Sequence, residues 1–167
     1  MTQYFELFQL PPAFDIDNET IEQTYRRLAA SFHPDKFAAA SSFEQKQAVM
    51  MAATLNDAYR TLISPIDRAA YLLKSQGIDA DAPEHTGFAP EFLMQQMEWR
   101  EALEDGRSAG NEAALLKLDK EIAAEQQNLF ADLGRAFASQ QAEEAGQLVR
   151  QGRFLNKLRQ EIKAALP

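Results

Sequence analysis

The residues that could do chemistry in this chain stand in one short stretch, "SFHPDKF", at positions 31–37. An imidazole, a proline and a carboxylate follow one another there, directly after a segment with helical spacing. Pro34 disfavours α geometry at the preceding residue, so the helix should end near Phe32 and leave His33 and Asp35 in a turn. Two interpretations stay open: an ordinary helix end with solvated side chains, or a rigid turn that presents a carboxylate to a partner.

Other kinds of chemistry lack the residues that they require. The two histidines, His33 and His85, are far apart in the sequence, and there is no cysteine. Thiolate ligands, disulfides and cysteine nucleophiles are excluded, and no helix face carries metal-ligand spacing. No glycine-rich loop precedes a predicted helix, so no phosphate cradle is indicated. We therefore expect no catalytic residue, metal site or cofactor, and favour a binding protein. An acidic helical enzyme with an unrecognised site is the alternative from another class.

Charge and composition narrow the possible partners. The 167 residues are 46% apolar and 25% charged, with a formal net charge of −8. Nucleic acid prefers a basic face, and anionic membrane surfaces repel an acidic chain, so we expect neither as a partner. No apolar run approaches the roughly 20 residues that span a bilayer. The start of the chain has no positive segment typical of a signal peptide, and the missing cysteines fit a cytoplasmic location.

The first half of the chain predicts four helices. Only 7 glycines and 7 prolines occur among abundant helix formers, which favours an all-α fold. Residues 4–8 predict a short turn of helix, and Asp17 or Asn18 is a suitable cap for a helix that ends near Phe32. Ser41 opens a third helix as part of a capping box, and residues 68–75 predict a short fourth one. The expected apolar stripes are Ile21, Tyr25, Leu28 and Phe32, then Ala48, Ala52, Leu55, Tyr59 and Leu62, with Val49, Asn56 and Ile63 alongside.

The second half predicts a linker followed by a bundle. Residues 77–90 contain proline and glycine without periodicity, which is typical of a linker. Longer helical patterns follow at 90–106, 111–138 and 141–165, and their short connections favour a three-helix bundle. The expected core positions of the last two helices are Leu115, Leu118, Ile122, Leu129, Leu133 and Ala136, then Leu148, Leu155, Leu158 and Ile162.

The order of the motifs in the first half closely resembles a J-domain. "TYRRLAASFHPDK" precedes a loop and a helix that reads "LNDAYRTLISPIDRAAY", and the match covers about residues 3–76. J-domains dock on heat-shock ATPase chaperones and trigger their ATP hydrolysis. "HTGFAPEFLMQQMEWREALED" and "RQGRFLNKLRQEI" are similar to the HscB-type co-chaperones of iron–sulfur cluster assembly, so the resemblance extends over nearly the whole chain.

The resemblance implies a division of labour between the two halves. Residues 1–76 would be the J-domain, 77–90 the linker and 91–167 a three-helix bundle that binds the cluster scaffold protein (IscU type). The J-domain would present that scaffold to a dedicated ATPase chaperone (HscA type). The absent cysteines imply that the chain handles the scaffold and not the metal. A missing N-terminal cysteine extension favours a bacterial, cytoplasmic type. A general J-domain co-chaperone for other clients is the alternative.

The J-domain resemblance also implies which residues bind the chaperone. Arg26 and Arg27 lie off the apolar stripe and could face an acidic partner, although exposed charge pairs are commonly just solvated. Tyr25 falls on the stripe, so core packing and partner contact both remain open. Glu19 and Glu22 depart from the more basic pattern of general J-domains, so we expect weaker steering towards an acidic chaperone. The predicted chaperone-binding residues are Tyr25, Arg26, Arg27, His33, Pro34, Asp35 and Lys36.

A helix in the second half carries two apolar faces. At 100° per residue Phe92, Trp99 and Leu103 share a core face. The apolar side chains at 93, 94 and 97 lie on another side of the helix, and acidic residues follow them on that side. Methionine suits adaptable binding surfaces. Packing of this second face on another part of the chain is the alternative. The HscB resemblance implies that the scaffold-binding residues are Leu93, Met94, Met97, Glu98, Glu101, Asp105 and Phe154.

Overall fold

The computed structural model describes residues 2–82 and 87–167. Within these ranges the chain forms α-helices, one 3-10 turn and loops, with no strand, so the predicted all-α class is confirmed. The helices are α1 (Gln3–Leu7), α2 (Asn18–Ser31), α3 (Ser42–Ile63), α4 (Pro65–Ser75), α5 (Pro90–Ala109), α6 (Glu112–Ala138) and α7 (Ala142–Ala165), with the 3-10 turn at Pro34–Phe37. The chain divides into two compact units, Met1–Gly77 and Ile78–Pro167.

The first unit is built around α3, against which α1, α2, α4 and the 3-10 turn all pack. The Asp17 carboxylate accepts a hydrogen bond from the Glu19 N–H and so caps α2, which ends at Ser31 with Phe32 as its C-cap. Ser41 caps α3 through its hydroxyl, which accepts from the Glu44 N–H at 3.2 Å. The fully buried large side chains of this unit are Phe5, Phe8, Ile21, Leu55, Leu62, Ile66 and Leu73.

Helix α4 starts at Pro65 and not at Arg68, which corrects the predicted start. The Ser64 hydroxyl accepts from the Asp67 N–H at 3.3 Å and caps the helix. Proline in the first turn loses no hydrogen bond, because the N–H groups of that turn have no partner within the helix. A Ser-Pro pair that suggests the end of one helix is therefore also the start of the next.

Two residues of the "RAAY" segment hold the first unit together. Arg68 is only 4% exposed, its Nη1 donates to the Leu62 carbonyl at 2.6 Å, and its guanidinium lies 5.2 Å from the Phe14 ring centroid. Burial lowers the pKa of Arg68. The Tyr71 hydroxyl accepts from the Tyr4 N–H at 3.0 Å, and the two rings stack at 4.8 Å. This part of the motif therefore has a structural explanation.

The second unit is a three-helix bundle in which α6 packs against α5 and α7. A Cβ added to Gly106 would lie 2.8 Å from Leu115 Cδ2, so α5 approaches α6 closely only because glycine stands there. Leu148, a predicted core residue, is half-buried instead. The remaining predicted core positions of α6 and α7 are buried, together with small or medium residues that the pattern did not single out: Ala145, Gly146, Val149 and Gly152.

Polar side chains join α6 to α7 beside this core. Both carboxylate oxygens of Asp119 accept from Arg159, at 2.9 and 3.2 Å, and this hydrogen bonding raises the pKa of Arg159. Arg159 Nη1 also donates to Gln126 Oε1 at 2.8 Å, and Gln126 Nε2 donates to Asn156 Oδ1. Gln126 is 5% exposed, so its amide is buried with both ends hydrogen-bonded.

The residues that follow Gly77 belong to the second unit. Gly77 itself has φ of +82°, which glycine adopts without strain. Ala80 is buried and its carbonyl accepts from Arg150 Nη1 at 3.3 Å, while the Asp81 carboxylate accepts two hydrogen bonds from Arg153. Part of the predicted linker, residues 83–86 including His85, lies outside the described residues.

Candidate functional site

The His-Pro-Asp motif forms a turn whose shape its own side chains fix. His33 is extended (φ −64°, ψ 137°) and caps the 3-10 turn, with Pro34 at its first position. The Asp35 N–H donates to His33 Nδ1 at 3.2 Å, and the Lys36 N–H donates to the His33 carbonyl at 3.0 Å. Proline restricts both itself and the residue before it, which explains why this sequence leaves the helix here. The turn is thus ordered before any partner arrives.

The hydrogen bond to Nδ1 defines the tautomer of the neutral His33 ring. A nitrogen that accepts carries no proton, so the neutral ring holds its proton on Nε2. Asp35 Oδ2 lies 3.6 Å from the same Nδ1, and an ion pair there would require a protonated ring that could no longer accept from the backbone. The two contacts are alternatives, and the neutral form leaves the Asp35 carboxylate, 92% exposed, available to a cation.

A side chain of α3 attaches this turn to the rest of the first unit. Gln45 Nε2 donates to the carbonyls of Phe37 and Ala38, at 3.0 and 3.3 Å. The rings of Phe32 and Phe37, on either side of the motif, face each other with centroids 6.4 Å apart and an interplanar angle of 4°. The motif is therefore held by α3 as well as by its own hydrogen bonds.

The other predicted chaperone-binding residues divide into packed and free side chains. Tyr25 is half-buried, stacks on Tyr59 at 4.2 Å and donates its hydroxyl to Asn56 Oδ1. Packing therefore accounts for much of the Tyr25 side chain, and its contact with a partner stays a prediction. The side chains of Arg26, Arg27 and Lys36 are exposed, and in the described part of the chain they form no ion pair. We give the name turn surface to the seven predicted chaperone-binding residues: Tyr25, Arg26, Arg27, His33, Pro34, Asp35 and Lys36.

Helix α5 has an inner and an outer apolar face as its sequence predicts, except that Phe92 of the expected core face is half-buried. Trp99 and Leu103 are 4% and 2% exposed and face the core, whereas Leu93, Met94 and Met97 are 44%, 64% and 71% exposed. Acidic side chains continue this outer side, and all three are exposed: Glu98, Glu101 and Asp105. Within the described residues of the second unit, then, no other helix covers the outer face.

Phe154 of α7 differs from the other predicted scaffold-binding residues because it is half-buried. Its ring meets Phe92 edge-on at 5.8 Å, and the Arg100 guanidinium lies 5.4 Å from its centroid. Arg100 also pairs with Glu161, so a cation from α5 connects two residues of α7. We give the name helix surface to Phe154 together with the outer face of α5, which consists of Leu93, Met94, Met97, Glu98, Glu101 and Asp105.

Sequence reasoning missed Arg100, although a signal for it existed. Positions 93, 97, 100 and 104 follow one line along a helix, because residues three and four apart are neighbours. A cation on that line beside apolar side chains indicates a contact with the neighbouring helix.

Phe43 and Met50 of α3 were also missed as surface residues. They are 69% and 63% exposed, which sets them apart from the buried stripe of the same helix.

Metal and membrane sites are not visible in the described residues. No three histidine, cysteine or acidic side chains gather there in a way that could hold a metal ion. No described helix is both long and apolar enough to cross a bilayer.

The fold and the motif turn define a J-domain protein. A DnaJ-domain family model matches residues 3–71, and a model described as the HSCB C-terminal oligomerisation domain matches residues 88–163. The "Co-chaperone protein HscB homolog" of Neisseria gonorrhoeae is 68% identical over 99% of this chain and 100% of that protein.

Solved structures agree with these matches. The chaperone HscB from Vibrio cholerae is 41% identical, with a TM-score of 0.82 over 96% of this chain and 95% of that one. The human co-chaperone HscB is 29% identical, with a TM-score of 0.88 over 96% and 80%. This chain belongs to the HscB family of J-domain co-chaperones, a family of co-chaperones and not of catalytic enzymes, and the predicted resemblance is confirmed.

Proposed function

We propose that this chain binds an iron–sulfur cluster scaffold protein through the helix surface and presents it to a dedicated heat-shock ATPase chaperone. Through the turn surface it stimulates that chaperone's ATP hydrolysis. The observation that supports the first part is the exposed apolar face of α5, a helix whose other face already fills the core. The observation that supports the second part is the exposed Asp35 carboxylate, held in a preformed turn.

The chemistry of each surface fits a different partner. The turn surface offers one carboxylate among three cations, which suits a partner with an arginine or lysine for Asp35 and acidic groups around it. The helix surface offers Leu93, Met94 and Met97 inside an acidic rim, which suits an apolar patch with basic neighbours. The opposite charge of the two surfaces would keep each partner on its own site. We also propose that this protein acts in the bacterial cytoplasm.

The experiment that tests the proposal has two independent readouts. Isothermal titration of the whole chain with the purified scaffold protein measures the helix surface. Single-turnover ATP hydrolysis by the purified chaperone, with and without this chain, measures the turn surface. We expect saturable scaffold binding, and stimulation that occurs without scaffold and increases when scaffold is added.

Each readout can fail separately. An unstimulated ATPase would contradict the co-chaperone role of the turn surface. Undetectable scaffold binding, combined with normal stimulation and capture of other clients from lysate, would instead favour the general J-domain alternative.

A further inference from the structure

An apolar groove lies beside the motif turn in the first unit. Its volume is about 700 Å³, and its walls include Phe32 and Phe37 next to the motif and Phe43, Met50 and Met51 on α3. That volume falls within the roughly 300–1,000 Å³ typical of ligand pockets, which is enough for several apolar side chains. The three wall residues on α3 are not needed for the core stripe of that helix, which Ala48, Leu55 and Leu62 already supply.

The groove is continuous with the turn surface. Phe32 directly precedes His33, and Phe37 closes the 3-10 turn, so two of the groove's aromatic walls flank the motif. The two hydrogen bonds from Gln45 hold the Phe37 end of the turn against the start of α3. A partner that reaches Asp35 therefore also approaches an apolar groove whose walls are fixed relative to the motif.

We infer that this groove binds an apolar segment of the ATPase chaperone, next to the basic side chain that pairs with Asp35. The inference rests on the proposed function of the turn surface. Continuity with that surface argues for this occupant, and so does charge: Glu44 on the rim and Asp35 beside it favour an apolar segment flanked by a cation. Methionine and phenylalanine walls suit an apolar segment, because their burial on docking removes exposed apolar surface from water.

The test uses two matched positions on α3. Met50 lines the groove and is 63% exposed, whereas Val49 is 62% exposed and does not line it. The concentration of chain needed for half-maximal ATPase stimulation is measured for Met50→Ser, Phe43→Ser and the control Val49→Ser. We expect about a tenfold increase for each groove variant, as for loss of an apolar anchor in an interface. The control should stay within about twofold. Circular dichroism melts check that all three variants fold.

His33→Gln separates failure of this inference from failure of the proposed function. If His33→Gln abolishes stimulation while Met50→Ser and Val49→Ser both behave as wild type, the groove inference is wrong and the turn surface stands. If His33→Gln stimulates fully, the proposed function itself is wrong. Two further results would overturn the groove inference. One is a Met50→Ser variant that stimulates the ATPase as wild type does, while sedimentation shows that the wild-type chain is a dimer and the variant a monomer. The other is a loss of scaffold affinity in Met50→Ser.

Discussion

Asp35 lies in a 3-10 turn of four residues, whereas Met94 and Met97 lie on the outer side of a helix of 20 residues. Local hydrogen bonds, one proline and Gln45 of α3 hold the turn, whereas the packing of Trp99 and Leu103 in the core holds the helix. The turn concentrates its contacts in few groups that nothing nearby can replace, whereas the helix distributes contact over several similar side chains. Single substitutions should therefore damage the turn surface more than the helix surface.

The largest effect is expected for His33→Gln. The variant loses the imidazole that accepts from the Asp35 N–H, so stimulation of the chaperone's ATPase should fall to background. Because His33 is exposed, the free energy of unfolding should change by no more than about 0.5 kcal/mol. Single-turnover ATPase rates and a urea titration measure the two quantities. Full stimulation with an unchanged unfolding curve would contradict the proposed role of the turn surface in stimulating the chaperone.

The next largest effect concerns the helix surface. Leu93→Ala with Met94→Ala should weaken scaffold binding at least about tenfold, since burying each such side chain contributes roughly 1.5–3 kcal/mol before ordering costs. ATPase stimulation without scaffold should be unchanged. Leu116→Ala is the control, because Leu116 is 51% exposed on α6 of the same unit. Isothermal titration decides, and equal affinities for the double variant and the control would remove the helix surface as the scaffold site.

Phe154→Ala tests whether a half-buried residue of the helix surface, packed against Phe92 and Arg100, contributes to both stability and binding. Unlike the Leu93 and Met94 pair, it should lower both the scaffold affinity and the melting temperature. A lowered melting temperature with unchanged affinity would make Phe154 purely structural.

A smaller effect is expected from the cations of the turn surface. Arg26→Glu with Arg27→Glu should raise the half-maximal concentration for ATPase stimulation roughly three- to tenfold, because exposed charges contribute modestly to docking. The difference from wild type should shrink between 0.1 M and 1 M salt, where the Debye length falls from about 10 Å to about 3 Å. Stimulation that depends on neither substitution nor salt would place the docking face away from α2.

The smallest effect concerns the helix cap behind the turn. Ser41→Ala removes the side chain that accepts from the Glu44 N–H and should cost about 1 kcal/mol of unfolding free energy. Its neighbour Ser42 is exposed and is not the cap of α3, so Ser42→Ala should cost much less. Chemical denaturation of the two variants makes the comparison. Equal losses would mean that the cap does not stabilise the start of α3.

Local chemistry explains why so much of the fold was predictable. The caps at Asp17 and Ser41, the end of α2 near Phe32 and the buried stripe of α6 depend on residues within one or two turns of each other. Such features are visible in the sequence as spacing. The exposed outer face of α5 was visible for the same reason, as a second apolar stripe.

What could not be predicted depends on contacts between distant residues. Ala145 and Gly152 are buried because α7 has close neighbours, which their own small side chains do not signal. Arg150 and Arg153 bind Ala80 and Asp81 about seventy positions earlier in the chain. The groove beside Phe43 and Met50 likewise requires α3 and the motif turn to be brought together, and no spacing within one helix encodes that.

The hydrogen bonds from Arg159 to Asp119 and Gln126 have a consequence for how the bundle assembles. A shift of α7 by one turn along α6, about 5.4 Å, would take small buried residues such as Ala145 and Gly152 out of their close contacts and would also displace Arg159. Such a shift would leave the buried amide of Gln126 without partners, at about 1–3 kcal/mol, and would break the partly exposed pair of Arg159 and Asp119. The polar network and the small residues of α7 together favour a single alignment of the two helices.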